Sequence, residues 1–150
     1  MKRAQRGFTL MELIIAMVII GVLTAIAIPN YTAYIQRSRR AEARNQVLEA
    51  TVWTERVRTE RGRFDNQAMP GTQTLPIALQ CVPRNTTGTG TCRDYDVNFE
   101  AVAATTYLIR AVPVAAGQMA TDICANLRVN ETGLRDFTGG GGTQEVCWNR

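Results

Sequence analysis

Four cysteines and no histidine limit the chemistry open to this 150-residue chain. Histidine is the commonest general base and the commonest metal ligand, so its absence removes two functional classes at their usual root. Cys81, Cys92, Cys124 and Cys147 include no C-x-x-C pair, so neither a zinc site nor a dithiol redox site has its ligand spacing. An even cysteine count on one side of an apolar segment favours two disulfides in an oxidising compartment, and four cysteines allow three connectivities. No serine or cysteine has a base in sight and no carboxylate pair stands out. The expectation is a protein that is not an enzyme, holds no metal and carries no cofactor.

The other polar motifs are weaker. Asp94-Tyr-Asp96-Val-Asn98 begins as a calcium loop does, but Phe99 stands where such a loop needs glycine. Alternating Asp94, Asp96, Asn98 and Glu100 read instead as the solvent face of a strand. Gly139-Gly-Gly-Gly-Thr lacks the lysine of a phosphate-binding loop and reads as a flexible loop. Asn85-Thr-Thr and Asn130-Glu-Thr fit the N-glycosylation sequon, a match short enough to be frequent by accident. Arg37, Arg39, Arg40 and Arg44 follow an apolar run, where lipid phosphates, acidic neighbours or plain solvent would each satisfy them.

One charge is harder to dismiss. From Phe8 to Ile28 the chain is apolar for 21 residues, yet Glu12 sits five residues in. As a helix this run is about 31 Å long, the thickness of a hydrocarbon core. A carboxylate at the centre of such a span costs roughly 2.5–3.5 kcal/mol, and less toward an end. Two readings stand side by side: a functional charge with a partner, or a glutamate that snorkels to the headgroups from the positive first turn.

The elements that would position these residues follow from composition and periodicity. Lys2, Arg3 and Arg6 precede the span and place residues 1–7 in the cytoplasm, although Arg37 to Arg44 argue for the opposite orientation. The cysteines decide it, because disulfides need the oxidising side. No small-residue cleavage site follows a short apolar region, so the segment is not an ordinary secretory signal. Removing those three leading cations from the formal +4 leaves about +1, a weak ground for nucleic-acid binding. The helix should continue beyond the membrane, with a kink or loosening at Pro29 and a face of Tyr34, Ala41, Leu48 and Glu55 beside Ile35 and Val52. Gly62 is a candidate left-handed cap. Phe8 to Arg61 would measure about 80 Å if continuous. A Pro-, Gly- and Thr-rich connector follows from Phe64 to Gly90, then three strands near 95–102, 106–112 and 124–130. The fold class is α+β, a long helix packed against an antiparallel sheet.

The residues Arg6-Gly-Phe-Thr-Leu-Met-Glu-Leu13, followed by an apolar run to Ile28-Pro-Asn-Tyr31, resemble the class III signal of type IV pilins. Tyr107–Pro113, Gly117–Gly133 and Cys147-Trp148 resemble the C-terminal region of a minor-pilin group that includes the PilE-type minor pilins and a DNA-uptake receptor. The resemblance implies that prepilin peptidase cuts between Gly7 and Phe8 and methylates the Phe8 amine. It implies that Glu12 of one subunit neutralises the Phe8 amine of a neighbour, which is cationic at neutral pH. The organisation is then a cytoplasmic leader (1–7), a membrane and assembly half-helix (8–29), an amphipathic half-helix (30–62) and a periplasmic head (63–150). The head comprises a variable connector (63–93), a sheet (94–131) and a C-terminal disulfide region (124–147). The implied partners are other pilin subunits in a helical filament, the peptidase, the inner-membrane pilus assembly machinery, and the membrane before assembly. The implied location is inner membrane first and extracellular pilus after.

The expected disulfides are Cys124–Cys147, which encloses 22 residues and contributes about 3 kcal/mol by chain entropy, and Cys81–Cys92, with the other connectivities still open. The implied function is a structural subunit, a minor pilin, of a type IV pilus that supports pilus biogenesis, adhesion, twitching motility or DNA uptake. A second reading is a DNA-binding minor pilin that uses Arg110, Arg128, Arg135 and Arg150. A third is a type II secretion pseudopilin, which two disulfides and the poor calcium loop argue against.

Overall fold

The computed structural model describes residues 8–84 and 91–149, with residues 29 and 30 described by backbone alone. Gly7, Arg150, the Asn85 sequon and the end of the connector lie outside the described residues. The chain divides into two compact units, one through Ile35 and one from Gln36. Helix α1 (Leu10–Arg61) gives one half to each and runs on through position 29.

In the first unit every described side chain from Phe8 to Ile28 is exposed, and this stretch is long and apolar enough to cross a membrane. Its start is fixed locally. Thr9 precedes the first helical residue, and its Oγ1 accepts the Glu12 N–H at 3.2 Å. Thr-x-x-Glu is the capping-box pattern, with the carboxylate in the first turn, where the helix terminus is positive.

In the second unit the helix packs a face of Ala43, Val47, Ala50, Thr54 and Val57 against the sheet. This corrects the stripe expected from Tyr34, Ala41, Leu48 and Glu55. Tyr34 is exposed, and Leu48 and Glu55 sit on the flank. Size explains the difference. Two alanines and a threonine let the strands approach closely, whereas the larger apolar residues line the edge of the contact. Gly62 ends the helix at φ 76°, and its N–H donates to the Arg58 carbonyl at 2.7 Å.

The sheet is an antiparallel meander of five strands in chain order: β1 (Cys81–Val82), β2 (Tyr95–Val102), β3 (Tyr107–Pro113), β4 (Asn126–Asn130) and β5 (Arg135–Thr138). Its inner face carries Val97, Ala111, Leu127 and Phe137 in one cross-strand row and Phe99, Ile109 and Val129 in the next. β2 and β3 fall within a residue of the expected positions, and β4 begins two residues later. β1 and β5 are additions. The first is too short to show alternation, and Arg-Asp-Phe-Thr is too polar to read as a strand.

Both expected disulfides form, Cys81–Cys92 and Cys124–Cys147. The second holds a C-terminal turn (Glu145–Asn149) in which Trp148 is buried and donates its indole N–H to the Asp136 carbonyl at 2.7 Å. The glycine run is a close crossing, not an open loop. A Cβ on Gly140 would stand 2.1 Å from the Ile123 carbonyl, and one on Gly142 would stand 2.5 Å from Cys147 Sγ.

Candidate functional site

Three groups of polar residues stand out. The first is the start of α1, where Phe8 and Glu12 both lie exposed. From Phe8 to Gln36, Glu12 is the one charged side chain. An exposed apolar helix of this length is unfavourable in water, and its one carboxylate lies in the first turn, where the helix terminus is positive.

The second group is a row across the outer face of the sheet. Register places Asn98 opposite Arg110, Arg110 opposite Arg128, and Arg128 opposite Asp136. Two arginines directly opposed repel, and the flanking residues compensate. Arg110 donates its Nε–H to Asn98 at 3.1 Å. Arg128 grips Asp136 through two hydrogen bonds of 2.7 and 2.6 Å, with Glu100 at 3.7 Å. The Asp136 bonds hold the Arg128 guanidinium above its ordinary pKa. Among the described residues, the terminal nitrogens of Arg110 have no hydrogen-bond partner and remain available to an anion. Arg135 is on the other face, opposite Val129, with its guanidinium 5.9 Å above the Trp148 ring. Of the four arginines singled out in the sequence, the fold thus brings Arg110 and Arg128 together and separates Arg135.

The third group is buried and was not legible from the sequence. Arg40 forms two hydrogen bonds to Asp122, at 3.2 and 3.1 Å through Nε, with Nη2 at 3.0 Å. Asp122 also accepts the Cys124 N–H at 2.7 Å, tying helix, loop and disulfide together. Arg39 pairs with Asp94 at 3.2 Å and with Glu42 at 2.9 Å. Of the arginines read as a solvated face, Arg40 is therefore buried and Arg39 half-buried, and Asp94, expected on a solvent face, is fully buried. The reason is topological: Asp122 is 82 residues from Arg40 in sequence, and local spacing carries no sign of it. Arg44, next along the helix, is lowered by partial burial and by Arg40 beside it. The Tyr95 hydroxyl is buried close to Asp122, and burial, reinforced by that carboxylate, pushes its phenol far above the usual value. Among the described residues no three His, Cys, Asp or Glu side chains gather as a metal site.

The family profile of type IV minor pilin ComP, DNA uptake sequence receptor, matches residues 29–128. The prokaryotic N-terminal methylation motif matches residues 2–28. Fimbrial protein EcpC of Eikenella corrodens is 53% identical over 45 residues, covering 30% of this chain and 29% of EcpC. Type IV major fimbrial protein FimA of Dichelobacter nodosus is 60% identical over 42 residues, covering 28% of this chain and 26% of FimA. The matched segments therefore span less than a third of either relative. The non-core minor pilin PilV of Neisseria meningitidis has the same fold, with a TM-score of 0.51 at 15% identity over 73% of this chain and 93% of PilV. Residues 29–128 being well over half of its length, the chain belongs to the type IV minor pilin family that the ComP profile describes.

Proposed function

We propose that this chain is a minor structural subunit of a type IV pilus. Prepilin peptidase cuts it after Gly7 and methylates the Phe8 amine. The apolar half of α1 holds it in the inner membrane, with the disulfide-bonded unit in the periplasm, until the assembly machinery moves it into the filament. There the same apolar surface packs on neighbouring helices, Glu12 neutralises the Phe8 ammonium of the next subunit, and Pro29 gives the helix a point of loosening.

One observation carries this reading: Leu10 to Ile28 is an uninterrupted exposed apolar stretch of helix whose single charge sits in its first turn. Its place in the first turn, beside the positive helix terminus, gives the Glu12 carboxylate a local role as well, so the test must separate the two. Glu12→Gln keeps the size and polarity of the first turn and removes the charge, and Glu12→Ala removes both. Both variants should insert and be processed, and both should fall in sheared pili by roughly tenfold or more relative to their membrane level, because an unpaired ammonium then enters the helix bundle. A Gln variant that assembles like wild type would reduce Glu12 to a capping residue.

A second reading adds capture of DNA. It is favoured by the adjacency of Arg110 and Arg128 on the outer sheet face, together with the DNA-receptor description of the matching family. Phosphate groups would meet the free end of Arg110 first, since Arg128 is engaged by Asp136.

A further inference from the structure

The flank of α1 and the β4–β5 turn enclose a groove of about 430 Å³, with Leu48, Val52 and Val129 among its lining residues. Two carboxylates line it as well, and Tyr107 lies between them. Its hydroxyl donates to Glu55 Oε1 at 3.2 Å, and its N–H donates to Glu131 Oε2 at 3.4 Å. Among the described residues neither glutamate has a cation within ion-pair distance. The arginine at the rim, Arg135, lies over Trp148 and pairs with neither. Two half-buried carboxylates and one guanidinium thus line the groove, which is net negative with neither glutamate ion-paired among the described residues, while Val52 beside them is 62% exposed. Like charges held together in a partly desolvated cleft favour an incoming cation. The aliphatic lining favours one on a hydrocarbon stem, the form of a lysine or arginine side chain.

We propose that this groove is a socket for a lysine or arginine side chain of the neighbouring filament subunit, with Glu55 and Glu131 taking the cation and Leu48, Val52 and Val129 its stem. This rests on the assembly reading above, which brings the heads of successive subunits side by side. Charge complementarity selects the occupant: a net-acidic groove with an aliphatic wall repels an acidic segment, and a purely apolar one brings no partner for its carboxylates.

The test has two arms. In the first, the full chain in detergent micelles, labelled with nitrogen-15, is titrated with n-butylguanidinium and with its neutral isostere n-butylurea. The Thr51 and Gly133 amides should shift saturably with the cation alone, and the response should vanish in Glu55→Gln/Glu131→Gln with both disulfides intact. Equal response to n-butylurea, no response, or a response that survives in the double variant overturns the socket. In the second, a photo-crosslinking residue at Val52 is placed in cells that bear pili. The expected product in sheared pili joins Val52 to a pilin peptide that carries lysine or arginine, and the double variant should lose it by roughly tenfold or more. Wild-type chain in pili with no cross-link, or with a cross-link to a protein that is not a pilin, overturns the occupant alone. Absence of the wild-type chain from pili overturns the assembly reading and the occupant together.

Discussion

Arg40 and Asp122 lie inside the molecule, with side chains 6% and 0% exposed, and a buried pair of this kind is asymmetric in its energetics. Removing one partner leaves the other charged and dry, so Arg40→Met should destabilise the head by about 3–5 kcal/mol. Adding Asp122→Asn should recover most of that loss, because asparagine can still accept the Cys124 N–H without a charge. Chemical denaturation of the full chain in micelles, disulfides intact, measures both, and a double variant as weak as the single would refute the charge argument. Asp65 supports a pH prediction. Its bonds from Arg63, and then from the Gly71 N–H, draw its pKa down from 3.8 to about 2. A carboxyl depressed on folding contributes stability that is complete above its unfolded value and is lost as pH falls through the folded one. The Asp65 contribution should therefore persist at pH 5 and disappear between about pH 4 and pH 2. The carboxyl carbon-13 signal of Asp65 should titrate near the lower end, and a midpoint near the unperturbed value would contradict it. At this scale the sequence was legible where a residue acts locally, as at the Gly62 cap, and silent where its partner is distant, as at Arg39, Arg40 and Asp94.

Among the elements, the helix and the three central strands were legible because their periodicities run over many residues. The packing face was not, since Ala43, Ala50 and Thr54 carry little hydropathy and matter through their small volume. Nor was the role of the glycine run, whose composition reads as slack. Gly140 has φ 69°, and its Cα passes so close to the Ile123 carbonyl that a methyl group would overlap it. Gly140→Ala combines a left-handed alanine with that clash, and it should cost at least about 1–3 kcal/mol. Gly141 has open space around it, so Gly141→Ala is the matched control and should be nearly silent. Thermal unfolding of the two variants gives the comparison, and equal midpoints would return the segment to a plain loop. The crossing has a structural consequence. It brings Ile123 and the Cys124–Cys147 bridge against the turn that seats Trp148, and Trp148 in turn caps a carbonyl of the edge strand β5.

For the molecule as a whole, the exposed arginines are divided between the two faces of the sheet, and this arrangement decides how DNA binding should respond to mutation. A formal +4 spread evenly over the chain would make every exposed arginine equivalent for a polyanion. The fold breaks that equivalence. Arg110 and Arg128 share one row on the outer face of the sheet, while Arg135 stands on the other face above Trp148, beside the acidic groove. If the outer row captures the phosphate backbone, Arg110→Ala should weaken binding of the full chain in micelles and reduce the slope of log affinity against log salt by about 1, the loss of one phosphate contact. Arg128→Ala should have a smaller effect, because its guanidinium is already committed to Asp136. Asp136→Asn should strengthen binding by releasing that guanidinium and removing a negative charge from the row. Arg135→Ala should change little. Fluorescence anisotropy with a labelled duplex over a range of salt gives all four slopes in one experiment. The ranking is the decisive reading, since a diffuse electrostatic attraction predicts equal losses at positions 110, 128 and 135. Equal losses would leave the sheet face without a special role and would return the DNA-binding reading to net charge alone.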